Sequence, residues 1–171
     1  DWFLETFFWA LQGFNKWLIV DILLPMKAAY LAMPVIATFT LVMGVGYIIG
    51  GIRSSLVVGG FLLFIALTEW WDRALITAYT VTVAVIVSSV IGITVGSLSA
   101  SNARASKIIL LVCDTFQTLP SFIYLIPVII LFGITDTSVL IAMIVYATVP
   151  ATRYTIEGLR RVPESLQDAG S

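Results

Sequence analysis

The chain has 171 residues, 60% of them hydrophobic and only 11% charged, with a formal net charge of −1 and no histidine. Soluble domains carry about 25% charged residues, so a mean hydropathy of +1.05 points to lipid rather than water as the solvent. Near-neutral charge offers nothing to nucleic acid, and one cysteine without histidine excludes His/Cys zinc sites and Ser–His–Asp chemistry within the chain.

Carboxylates are spread too thinly for a metal site. Cys113, with nothing nearby to stabilise a thiolate, reads as a small buried apolar residue rather than a nucleophile. The chain opens on Asp1 without a basic n-region or cleavage site and closes on Asp168-Ala169-Gly170-Ser171 without a C-terminal signal. Both ends read as cut.

Residues 1–17 predict an amphipathic helix. Asp1, Glu5, Gln12, Asn15 and Lys16 share about 100° of the helical wheel, and Trp2, Phe3, Phe7, Phe8, Trp9, Leu11, Phe14 and Trp17 cover the rest. Such a helix lies in the membrane interface as an anchor. Asp21, Pro25 and Pro34 then punctuate the approach to the first span, so residues 1–32 form an interfacial segment ahead of a transmembrane body over 33–171.

Five apolar stretches follow, at 33–51, 54–68, 75–98, 108–132 and 138–150, and predict an all-α helical bundle with about five spans. A spanning helix takes about 20 residues, so the second and fifth are short and cross only with help from flanking residues or a thinned bilayer. Tight connections at Ile52-Arg53 and between Glu69 and Arg73 favour antiparallel neighbours. Along the third stretch Thr80, Ala84, Ser88, Gly92, Gly96 and Ala100 recur at every fourth residue. Small side chains at this spacing let two helix backbones approach closely. Ser88, Gly92 and Gly96 are therefore packing residues, against a helix of the same subunit or of a second copy.

The fourth stretch carries the polar chemistry. Asp114, Thr115, Gln117, Thr118, Pro120, Ser121, Tyr124 and Pro127 interrupt what is otherwise a membrane helix. At 1.5 Å per residue Asp114 stands about 10 Å along the helix from Lys107, near the edge of the hydrocarbon. Ionisable groups at such depth face a bundle interior or an aqueous path. Asp114, Gln117 or Thr118, Ser121 and Leu125 share one helical face, and the two prolines release backbone carbonyls and permit a kink. Two readings stand side by side: Asp114 and Gln117 line a path, or they lock the helix to its neighbours by hydrogen bonds. Charge returns after Pro150, and Pro163 followed by Glu164 marks the start of a short amphipathic helix.

These segments together resemble the permease subunits of ABC importers, in particular the glycine betaine/proline betaine branch. Its pattern Asp-x-x-Gln-Thr-x-Pro-x-Phe-x-Tyr-Leu-x-Pro is matched from Asp114 to Pro127, followed by Leu131-Phe132-Gly133-Ile134, then Pro150-x-x-Arg153-x-Thr155-x-x-Gly158 and Val162-Pro163-Glu164. Asp168-Ala169-Gly170 aligns with the Glu-Ala-Ala core of the cytoplasmic EAA loop. The chain departs from the family at Thr135-Asp136, where Gly is usual after Gly-Ile, and at Gly170, where a second Ala is typical.

The resemblance implies about seven spans, of which this chain holds about five before it stops inside the EAA coupling loop. It implies an ATP-driven importer, without covalent chemistry, of a small quaternary-ammonium osmolyte across the cytoplasmic (inner) membrane. Glycine betaine and proline betaine stand first as substrates, ahead of choline, carnitine, ectoine or a sulfonium. A secondary transporter or channel is the rival reading. The implied partners are an ABC ATPase, a substrate-binding protein or domain at the outer face, and a second permease copy. No cofactor is expected in this chain. No Gly-x-x-x-x-Gly-Lys-Ser/Thr motif is present, which fits ATP and Mg being bound by the ATPase. Pro163, Glu164, Leu166, Asp168, Ala169 and Gly170 become ATPase-coupling residues. Asp114, Gln117, Thr118, Pro120, Ser121, Phe122 and Tyr124 become candidates for the translocation path, with the rings of Phe116, Phe122 and Tyr124 suited to a weak, transient contact with a trimethylammonium group.

Orientation follows from basic residues, which concentrate on the cytoplasmic side. With the segment after Pro150 inside, Arg53, Arg104, Lys107, Arg153, Arg160 and Arg161 are internal, against Lys16, Lys27 and Arg73 outside. In a Cys113→Ala background, a cysteine at Ser101 is therefore expected to resist a membrane-impermeant thiol reagent in right-side-out vesicles, and one at Asp136 to react. The reverse labelling would overturn this orientation.

Overall fold

A computed structural model describes residues 2–120 and 122–161, with side chains from Trp9 onward. All its elements are helical: α1 (Trp2–Trp17), a π-helical turn (Leu18–Leu23), α2 (Leu24–Leu31), α3 (Val35–Leu67), α4 (Trp71–Ala100), α5 (Ala103–Thr118), α6 (Phe122–Phe132) and α7 (Asp136–Arg160). Much of the amphipathic face expected of α1, and the coupling residues Pro163, Glu164, Leu166, Asp168, Ala169 and Gly170, lie outside the described residues. Two compact units divide the chain, one of residues 16–80 and one of residues 1–15 with 81–171.

In the first unit, local breaks follow from missing donors. Pro25 has no N–H to give to the carbonyl of Asp21. The helix widens just before it, where Leu24 N–H reaches the carbonyl of Ile19. The 33-residue α3 is two helices merged across a break at Gly50 and Gly51. Gly51, at φ 69° and ψ −164°, occupies a region essentially restricted to glycine. The chain doubles back there. A Cβ placed on Gly46 would lie 3.5 Å from Ser55 Cα, and one on Gly59 would lie 2.9 Å from Met43 Cε. In a straight helix residues 43 and 59 would stand about 24 Å apart. Phe39 stacks on Trp71 with centroids 5.8 Å apart, tying the first arm to the start of α4.

This hairpin bears on the expected count of about five spans. Among the described residues, and with α3 taken as one helix, three helices are long and apolar enough to cross a membrane, α3, α4 and α7, and the bent pair α5–α6 makes a fourth if taken as one span. The first two of the five expected spans are the arms of α3. Each arm is about 15 residues, or roughly 23 Å, against a hydrocarbon core of about 30 Å. The polytopic all-α architecture stands.

The second unit is organised around α7. Asn102 caps α5, its side chain accepting from the N–H groups of Arg104 and Ala105 at 2.9 and 3.2 Å. Ser106 Oγ donates to Ser99 carbonyl at 2.7 Å and pins the α4–α5 corner. Gly133, at φ 74°, turns the chain, and Thr135 caps α7 by accepting from Ser138 N–H. This gives a role to the Thr that replaces the usual glycine. The fifth expected span stops at Pro150, whereas α7 runs on through it to Arg160. The helix continues although Pro150 has no N–H to give to the carbonyl of Tyr146.

The small-residue stripe of α4 faces α7 of the same chain. Ala84, Ser88, Gly92 and Gly96 are buried. A Cβ on Gly92 would lie 2.5 Å from Ala151 Cβ and 2.9 Å from Thr152 N, and one on Gly96 would lie 2.6 Å from Thr155 Cβ and 3.0 Å from the Thr152 carbonyl oxygen. No room remains for a methyl group without moving a backbone. Gly92→Ala is therefore expected to destabilise by about 1–3 kcal/mol, the usual cost of overpacking. Gly60→Ala, whose Cβ would meet nothing within 4 Å, should leave stability unchanged. Thermal unfolding in detergent checks both, and equal stability of the two variants would remove the close approach.

Candidate functional site

The polar residues of the fourth stretch sit on two helices, not one. Pro120 cannot donate to the carbonyl of Phe116, and the residue before a proline avoids the α region. Leu119 is extended, at φ −81° and ψ 135°, and α5 ends at Thr118. The chain restarts as α6 at Phe122, bent by more than 40° from α5. The shared face expected from Asp114 through Ser121 to Leu125 is therefore interrupted after Thr118, and Ser121 itself lies outside the described residues.

The carbonyl left open by Pro120 is recovered from two sides. Leu119 N–H reaches it at 3.3 Å, and the Tyr124 hydroxyl donates to it from the first turn of α6. The rings of Phe116 and Tyr124 stack across the break with centroids 5.6 Å apart and planes within 7°. An unsatisfied carbonyl in lipid costs several kcal/mol, so Tyr124 closes a gap that the proline opens.

Below the break, Arg153 of α7 gathers the polar groups of α5. Its Nη1 pairs with Asp114 Oδ1 and donates to Gln117 Oε1 at 3.2 Å, while Nε donates to Glu157 Oε1 at 2.9 Å. The planar guanidinium fork suits three acceptors in different directions. Arg153 and Asp114 retain 31% and 54% exposure, so the latch sits at the edge of the packed region. Of the two readings of Asp114 and Gln117, this contact is the interhelical lock.

The remaining path candidates part company. Thr118 turns its hydroxyl back to the Thr115 carbonyl at 2.8 Å. Phe122 is 62% exposed and stands apart from the stacked rings. In its place Tyr146 of α7 approaches Tyr124, with centroids 6.3 Å apart. Phe116, Gln117, Tyr124, Tyr146, Val149 and Pro150 enclose a cavity of about 240 Å³. Sequence reasoning leaves out Tyr146 altogether and meets Arg153 as a family match and as one of the basic residues that set the orientation, not as a partner of Asp114. A lone arginine on one membrane helix and a lone aspartate on another are the available signal for the latch.

A double-mutant cycle on Asp114→Leu and Arg153→Met measures it. Each single change removes the Asp114–Arg153 contact and should lower the unfolding temperature in detergent. Asp114→Leu leaves Arg153 with Glu157 and Gln117, and Arg153→Met leaves Asp114 without this cation. The double variant should lose clearly less than the sum of the two. Strictly additive losses would show that the contact carries no energy.

Residues 92–170 match the family described as binding-protein-dependent transport system inner membrane component. Over all 171 residues the chain is 65% identical to the trimethylamine N-oxide transport system permease protein TmoV of Pelagibacter ubique (strain HTCC1062), covering 24% of that protein. It is 41% identical to TmoV of Ruegeria pomeroyi over 86% of this chain and 22% of that protein. It is also 31% identical to the glycine betaine/proline betaine transport system permease protein ProW of Escherichia coli (strain K12), over 99% of this chain and 48% of that protein. The chain thus spans about a quarter of the length of the TmoV relatives and about half of ProW. With the family match, these relatives and the membrane-spanning helices agreeing, the chain belongs to the inner-membrane permeases of binding-protein-dependent ABC transport systems.

Proposed function

We propose that this chain is part of the translocating subunit of an ATP-driven importer for small methylated-amine osmolytes, with trimethylamine N-oxide ahead of glycine betaine as substrate. The observation that carries the ordering is the 65% identity to a trimethylamine N-oxide permease over the whole chain, against 31% to a betaine permease. Both substrates join a trimethylated nitrogen to an anionic oxygen, so one path chemistry serves both.

In this reading residues 1–32 anchor the transmembrane body of 33–171 at the interface. A binding protein delivers substrate at the outer face, and two permease copies form the path. Pro163, Glu164, Leu166, Asp168, Ala169 and Gly170 dock into an ATPase that binds ATP and Mg. Closure of the ATPase pair moves this segment, and α7 carries the movement to Arg153 and the α5–α6 break. Gln117, Thr118, Pro120, Ser121, Phe122 and Tyr124 border the path at that break, and Asp114 holds its inner end to α7.

Proteoliposomes containing the full-length permease, its ATPase and its binding protein are expected to accumulate labelled trimethylamine N-oxide only with internal ATP, and in preference to glycine betaine. Asp168→Trp or Gly170→Trp should abolish most uptake while ATP hydrolysis and membrane insertion persist. ATP-independent uptake would favour a secondary transporter, and unchanged uptake in both variants would remove the docking role.

A further inference from the structure

The cavity between α5, α6 and α7 pairs two kinds of surface that seldom meet inside a membrane protein. One wall is aromatic. Phe116 and Tyr124 present stacked rings, and Tyr146 stands tilted at 51° to Tyr124. The Tyr124 hydroxyl is engaged by the Phe116 carbonyl, so this side chain offers the cavity its ring rather than its oxygen.

The other wall is the Gln117 amide, and its orientation is set by chemistry. Arginine has donors only, so the oxygen of Gln117 must face Nη1 of Arg153, as the 3.2 Å contact places it. That leaves the NH2 as the end able to donate to a ligand, on a residue that lines the cavity. Asp114 and Glu157 both pair with Arg153, which holds the guanidinium in place about one turn from Gln117. Pro150, also on the wall, has no N–H to give to the carbonyl of Tyr146.

We infer that this cavity is a transient binding site for a trimethylated zwitterion, the methyl groups against Phe116, Tyr124 and Tyr146 and the anionic oxygen on the Gln117 amide NH2. The inference rests on the importer reading and assigns its substrate contact. Its size sets the ligand class. A volume of about 240 Å³ is below the roughly 300–1,000 Å³ of typical ligand pockets. Such a space is large enough for an amine oxide or a betaine. Aromatic faces attract the positive end without needing a donor from it, and a single neutral donor holds the oxygen without a charge that would slow release. Arg153 is a positioning residue here, acting through Gln117.

The test is binding of two probes, trimethylamine N-oxide and tetramethylammonium, to the full-length permease–ATPase complex in nanodiscs without binding protein. Saturation-transfer NMR on the N-methyl protons reads the titration. Tyr146→Leu is expected to weaken both probes about tenfold, the loss of one good cation–π contact, and Tyr146→Phe to keep both. Gln117→Glu, which exchanges the donor for an acceptor, should weaken the N-oxide alone and leave tetramethylammonium as tight or tighter. Tyr154→Leu, exposed on the same helix, should change neither. If Tyr146→Leu does not assemble, Val149→Phe fills the cavity and should displace both probes. Wild-type binding in the leucine or the cavity-filling variant overturns the site, and equal weakening of both probes by Gln117→Glu overturns the oxygen contact. ATP-driven uptake on the same preparations separates the two levels. Uptake without cavity-dependent binding removes this site alone, whereas no uptake of either osmolyte by the unmodified complex removes the importer reading.

Discussion

In lipid every backbone polar group must find its partner inside the protein, and Pro120 removes one of those partners within the apolar stretch 108–132. The consequences spread outward from that single missing N–H. The Phe116 carbonyl loses its helical donor, α5 stops at Thr118, and the chain turns before α6 begins. Tyr124 then returns its hydroxyl to the orphaned carbonyl, which brings its ring onto Phe116 and draws α6 back over α5. Tyr146 closes the third side. A helix without the proline would bury this surface along one continuous face and leave no cavity between three elements.

The latch and the cavity share Gln117, and that sharing links packing to recognition. Arg153 satisfies Asp114 and Glu157, holds α7 against α5, and in doing so points the Gln117 amide. A substitution at Arg153 would therefore disturb helix packing and the donor together, although Arg153 is absent from the cavity wall. Sequence distance conceals this economy, because Arg153 and Asp114 are 39 positions apart.

What the sequence discloses follows the range of the forces involved. The apolar stretches, the helical character of α1 and the four-residue stripe of α4 are periodic and local, so composition and spacing are enough to read them. Gly92 and Gly96 show that a close backbone contact exists, but spacing alone leaves open whether the partner is α7 or a second copy. The prolines are visible as disturbances, yet their outcomes differ. Pro120 ends a helix, whereas Pro150 sits within α7 and lets it continue. The turn at Gly50 and Gly51 is displaced by only a few residues from the expected connection at Ile52-Arg53, but it produces two arms too short to count as ordinary spans. Tyr146 escapes notice because an aromatic residue in an apolar run looks like any other core side chain until Tyr124 is placed beside it.

The glycine contact between α4 and α7 also has a mechanical meaning. At Gly92 and Gly96 only the short side chains of Ala151 and Thr155, together with backbone atoms, meet the glycines, which leaves few rotamers to absorb a slide. The two helices therefore behave as one stiff member. The junction of α5 and α6 is held instead by one hydroxyl, a pair of stacked rings and a half-exposed ion pair, all of which tolerate reorientation. Strain applied at the Arg160 end of α7 concentrates at that soft joint, as load on a jointed frame gathers at its hinge, and the joint is where the aromatic cavity lies.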